Sequence, residues 1–135
     1  MNVRLMEAIY LHRGISQTAV VNDEPDTVTL PRDQLATAFR VVFEKYFDEE
    51  WYLKNNKDVK AAMDDGQVSN ALGHYLNIGI YEGRLPCSVL IDEEDYLTRH
   101  SDVAAAVESG GFESAAHHFY STGFGEGRFF RLADS

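Results

Sequence analysis

The chain has 135 residues, 44% of them hydrophobic, which is enough for one sizeable core and leaves little room for a second domain. Twelve Lys and Arg stand against twenty-two Asp and Glu, a formal net charge of −10, so a phosphate-rich partner is repelled unless a local basic patch intervenes. The sequence has no such patch, which argues against nucleic acid, and its single cysteine, Cys87, excludes an internal disulfide and any cysteine-cluster metal site.

In the first stretch, MNVRLMEAIYLHRG, Arg4, Glu7, His12 and Arg13 interrupt the apolar bursts, so it does not read as a secretory signal. No stretch reaches the ~18 apolar residues of a membrane span. The expectation is a cytoplasmic protein or part of an assembly released without a secretory signal. VRLMEAIYL satisfies neither the helical nor the strand period; the reading leans to strand, pairing with 17–21 or 27–30. Asp23, Glu24, Pro25 and Asp26 mark a loop, and the alternation of TVTL at 27–30 predicts a short strand. Pro31 then opens an amphipathic helix over 31–46, with Leu35, Ala38, Phe39, Val42, Phe43 and Tyr46 at three- and four-residue steps. Residues 1–46 form an N-terminal segment suited to docking a protein partner or another copy of the chain.

From residue 47 onward the chain is written twice. A shift of 44 residues aligns FDEEWYLKNNKDVKAAMDDGQVSNALGHYLNIGIYEGRLP with IDEEDYLTRHSDVAAAVESGGFESAAHHFYSTGFGEGRFF, without a gap and with about 16 identities over about 40 positions. Asp48 and Asp92, each followed by two glutamates, suit the N-cap of a first short helix. A second helix is predicted over 57–65 and 101–109, with Val59, Ala62 and Met63 as its apolar stripe and Gly66 and Gly110 as left-handed C-terminal caps. Ser69 and Ser114 are the expected caps of a third helix, which ends at Gly79 and Gly123 before the shared EGR. The fold class is therefore mainly α: two tandem three-helix repeats, 47–88 and 91–130, packed together behind the N-terminal segment with its possible short strands.

The residues with chemical potential recur with the repeat. His74 and His118 lie near Glu82/Arg84 and Glu126/Arg128, and each copy offers too few matched ligands for zinc or iron; a hydrogen-bonded structural role is expected, with no metal and no cofactor. Asp58 and Asp102 have two readings: first-turn residues of the second helix, or salt-bridge partners that tie Arg84 and Arg128 back to it. Glu49/Glu50 and Glu93/Glu94 read as a solvated face. The GxxEGR run has neither the glycine spacing nor the lysine of a phosphate loop, and no nucleophile elbow occurs. Cys87, beside Pro86, reads as an ordinary thiol rather than a nucleophile. The chain is not expected to be an enzyme.

The frame FD-x-x-YL-x-x-N-x-DV-x-A-A, then G, then H-Y/F-x-x-x-G-x-x-EGR, resembles a short bacterial repeat found in tandem beside glycosyltransferase domains, in polysaccharide-synthesis proteins and in some large secreted calcium-repeat proteins. The resemblance covers about residues 47–130. The family's usual NPDVA stands here as NKDVK (Asn56 to Lys60) and HSDVA (His100 to Ala104), without the proline. The resemblance implies an accessory or binding module for bacterial cell-surface or capsular polysaccharide, including a surface-recognition component of a phage-like particle, and it brings no catalytic residue with it. Aromatic rings stack on sugar faces, and the rings unmatched between the copies, Trp51 and Tyr81, together with Phe124, are the candidate ligand-binding residues. The alternative is a protein-interaction scaffold or assembly subunit with no carbohydrate ligand.

Overall fold

The computed structural model describes residues 20–21 and 28–133; the strand expected among the first fifteen residues lies outside the described residues. The fold is mainly helical. Ahead of the helices, β1 (Val20–Val21) pairs antiparallel with β2 (Val28–Thr29), within the predicted TVTL stretch.

Pro31 sets up α1 (Arg32–Phe43): its φ of −56° suits the entry, and its carbonyl accepts from the Gln34 and Leu35 amides. The helix stops three residues short of the expected 46. The chain must leave the helix so that Asp48 can reach the extended φ of −103° required of a cap, and so that Phe47 can turn its ring onto Tyr52 and Tyr75. The inward face of α1 carries Ala36 and Phe43, while Phe39 and Val42 face outward, as does Tyr46 in the turn that follows.

Each repeat then has the same course. In the first, Asp48 accepts from the Trp51 amide and starts α2 (Glu49–Asn55), followed by α3 (Lys57–Asp64) and the short α4 (Ala71–His74). In the second, Asp92 accepts from the Asp95 amide and starts α5 (Glu93–Arg99), followed by α6 (Ser101–Glu108) and α7 (Ala115–His118). Gly66 and Gly110, at φ of +74° and +79°, close α3 and α6, and the next amide in each case reaches back to Ala62 or Ala106 at 2.8 Å. Ser114 caps α7 as expected. In the first copy the cap is Asn70, not Ser69; Asn70 is the residue in register with Ser114, and its carboxamide oxygen accepts from the Gly73 amide.

The third helix of each copy is not α throughout. It widens into one turn of π-helix, Tyr75–Gly79 and Phe119–Gly123, in which the Ile80 and Phe124 amides reach five residues back to Tyr75 and Phe119 at 2.8 Å. The glycines that end these turns are required for space: a Cβ on Gly79 would collide with the Tyr52 hydroxyl, and one on Gly123 with the Tyr96 hydroxyl.

Two apolar clusters result. Ala36, Tyr52, Val59, Ala71, Tyr75 and Leu76 form the first, so α1 closes the first repeat. Ile91, Tyr96, Val103, Ala115 and Phe119 form the second, joined by Leu85 from the end of the first repeat. Trp51 also packs on the second cluster, its ring edge-on to Tyr120 at 5.7 Å, and is the main aromatic link between the repeats. The position matching Trp51 in the second copy is Asp95, which pairs with Arg99 at 2.7 Å, with Arg131 nearby at 3.8 Å.

Candidate functional site: the cleft between the two EGR turns

The repeated polar residues assemble into two near-identical clusters. The Arg84 guanidinium donates to both carboxylate oxygens of Asp58, at 2.9 and 2.7 Å, while its Nε donates to Glu82 at 2.7 Å. Arg128 repeats this on Asp102, at 2.9 and 2.7 Å, and on Glu126 at 2.8 Å. Gly83 and Gly127 make the turn possible by adopting φ of +74° and +71°. Asp58 and Asp102 therefore fill both roles considered from sequence, as first-turn residues and as arginine partners.

The pairs are not fully buried: the Arg84 side chain keeps 22% of its surface, but Asp58 keeps 65%. The arginine hydrogen bonds hold each aspartate at about 2, well below an ordinary carboxylate. Behind each cluster a tyrosine meets a histidine. The Tyr52 hydroxyl lies 3.0 Å from His74 Nδ1, and the Tyr96 hydroxyl lies 3.0 Å from His118 Nδ1. Burial, and secondarily the neighbouring arginine charge, depresses the pKa of both histidines, while burial pushes Tyr52 up to about 12.

One residue of this network carries no identity between the copies. Asn56 accepts from Arg84 Nη1 at 2.9 Å and donates to the Tyr52 carbonyl at 2.8 Å, fastening the EGR turn to the end of α2. Its counterpart, His100, instead places Nε2 2.9 Å from the Phe129 carbonyl.

The three candidate aromatic residues do not converge. Trp51 is half-buried against Tyr120; Tyr81 is 51% exposed with the Arg32 guanidinium 4.4 Å above its ring; Phe124 packs on Phe119 and Phe130. Among the described residues no ring contact joins any two of them. A different aromatic residue, Tyr120, faces a cleft of about 660 Å³ that runs between the two EGR turns. Its walls are Asn56, Glu82 and Arg84 from the first repeat and Tyr120, Thr122 and Glu126 from the second.

Two glycines, Gly83 and Gly125, line the cleft where its walls join. Gly125 stands where the first copy has Tyr81, and a Cβ on Gly83 would come within 2.6 Å of the Gly125 Cα. The two turns thus meet backbone to backbone, leaving the space above them open. The Tyr81/Gly125 mismatch falls at this site, and it is Gly125, not Tyr81, that lies on the cleft wall. Among the described residues no group of three or more His, Cys, Asp or Glu could hold a metal ion, and no helix is long and apolar enough to cross a membrane.

No family model, curated protein or solved structure matches the chain.

Proposed function

We propose that this chain is a non-catalytic recognition module for bacterial cell-surface or capsular polysaccharide, acting as an accessory to polysaccharide assembly or as the surface-recognition part of a particle. The observation that carries the reading is the composition of the cleft: one phenol ring, Tyr120, set among carboxylate, carboxamide and hydroxyl groups. A sugar needs this combination, a flat apolar face for its C–H surface and several fixed polar groups for its hydroxyls. The resemblance of the repeat to modules of polysaccharide-related proteins points the same way. Binding is favoured over catalysis because both carboxylates on the cleft walls, Glu82 and Glu126, are each engaged by an arginine. A general acid needs the opposite environment.

The test is a glycan array with the wild-type protein and two variants. Gly125→Tyr copies the first-repeat residue into the cleft; the first atom of the new side chain meets nothing closer than the Thr122 carbonyl at 3.5 Å, so the fold should accept it. Binding lost in Gly125→Tyr and kept in Tyr81→Ala supports the cleft. Binding lost only in Tyr81→Ala, or in Trp51→Ala with the fold intact, moves the site to those rings.

A second reading, an assembly subunit, is favoured by the outward face of α1 and the turn after it, where Phe39, Val42 and Tyr46 stand exposed. A folded sample that binds no polysaccharide but sediments as an oligomer, and becomes monomeric in Val42→Asp, selects it.

A further inference from the structure

Resting on the recognition reading, we infer that the cleft selects hydrogen-bond-donating saccharides, neutral or amine-bearing, and discriminates against glycans that carry carboxylate, sulfate or phosphate. Among the described residues that line the cleft the only cationic side chain is Arg84, and four of its five N–H donors are spent: Nε on Glu82, Nη1 on Asn56 and Asp58, and one of the two on Nη2 on Asp58. A five-donor guanidinium used in this way keeps little to offer an incoming anion.

The acceptors are in the opposite condition. Glu82 and Glu126 each accept from an arginine through Oε2 only, and both side chains remain about half exposed. Their Oε1 atoms are therefore open to a ligand donor. Ser121, also on the wall, spends its hydroxyl proton on the His117 carbonyl at 2.6 Å and keeps its oxygen as an acceptor. In both repeats two carboxylates are set against one guanidinium, so each cluster keeps an unbalanced negative charge, within a chain whose formal net charge is −10. An anionic sugar entering the cleft would face like charge, with one remaining Arg84 N–H and no uncommitted cation among the described lining residues to answer it. A hydroxyl or ammonium group finds ionised acceptors, the stronger class of hydrogen-bond partner.

The experiment measures binding of wild type to dextran and mannan (neutral), glucosamine oligomers (amine-bearing), and alginate and polygalacturonate (uronate), at low and physiological salt. Gly125→Tyr serves as the control for attraction to the acidic surface outside the cleft. The expected result is binding to a neutral or amine-bearing polymer at least about tenfold tighter than to either uronate, abolished in Gly125→Tyr. In Glu82→Gln/Glu126→Gln, which keeps the side-chain shape, the discrimination should narrow, with melting temperature reporting that the fold is intact. A uronate bound more tightly than the other polymers, and released by Gly125→Tyr, overturns the inference and leaves the recognition reading standing. No polymer bound by folded protein overturns both.

Discussion

The Tyr52 hydroxyl sits 3.0 Å from His74 Nδ1 and occupies the space that a side chain on Gly79 would need. Tyr96, His118 and Gly123 repeat the arrangement in the second copy. Each repeat thus closes its third helix around a buried phenol, and three of the residues kept between the copies are kept for a single contact.

Replacing Gly79 or Gly123 by alanine forces the tyrosine out of place, and each variant should lose about 1–3 kcal/mol of stability, the usual cost of overfilling a packed core. Pairing Gly79→Ala with Tyr52→Phe should recover part of the loss, because the colliding oxygen is gone. A double-mutant cycle from denaturant melts measures the coupling. Additive losses would show that the hydroxyl is not the obstacle.

Acid should lower the protein's stability over two separable pH ranges. Both histidines have folded-state pKa values below the ordinary 6.5, so the unfolded chain binds more protons there. Their contribution is complete above 6.5 and declines as pH falls below it. Asp58 and Asp102 are lowered from 3.8 to about 2, so their contribution is complete above 3.8 and is lost only as pH drops towards 2. Melting temperatures from pH 8 to pH 2 should show the first decline in wild type and not in His74→Gln/His118→Gln. A proton-NMR titration of the wild-type imidazoles gives the same answer if that variant folds poorly.

The arginine and its aspartate should not cost the same. Arg84 is largely covered and anchors Asn56, Asp58 and Glu82 together, so Arg84→Ala should cost about 2 kcal/mol. Asp58 lies mostly in solvent, and Asp58→Ala should cost under about 1 kcal/mol. Equal losses, read from urea melts, would mean that the carboxylate rather than the arginine organises the turn.

Trp51→Asp copies the second repeat's residue into the first and removes the aromatic link to Tyr120. A loss of about 2 kcal/mol is expected for this half-buried ring. The variant's unfolding transition should also be broader than that of the wild type, or split, because the repeats then communicate through less apolar surface. A sharp transition of unchanged cooperativity would assign the coupling to the chain segment between the repeats.

The helical course of the repeats was legible because duplication labels it: aspartate caps, Gly66 and Gly110, and the arginine with its aspartate recur at fixed places and have local causes. The N-cap of α4 was misplaced by one residue because Ser69 and Asn70 are both good caps, and only register with Ser114 separates them. The end of α1 was overrun because apolar spacing continues through Tyr46 while the geometry of the Asp48 cap, a tertiary demand, stops the helix at Phe43. The cleft was missed for a physical reason: its walls come from two turns distant in sequence, and only the tertiary contact of Gly83 with Gly125 brings them together.

Leu85 lies in the first copy by sequence yet is 6% exposed and buried in the second cluster, while the carbonyl of the next residue, Pro86, accepts from the Asp48 amide of the first. The connecting segment is thus owned by both units, its backbone stitched to one and its side chain to the other. The period of the sequence and the period of the packing are out of phase. A single cut that isolates 91–130 empties a place in that unit's interior, and one that isolates 47–86 leaves an apolar side chain without its socket. What duplicated as a tandem pair is held as an interlocked one.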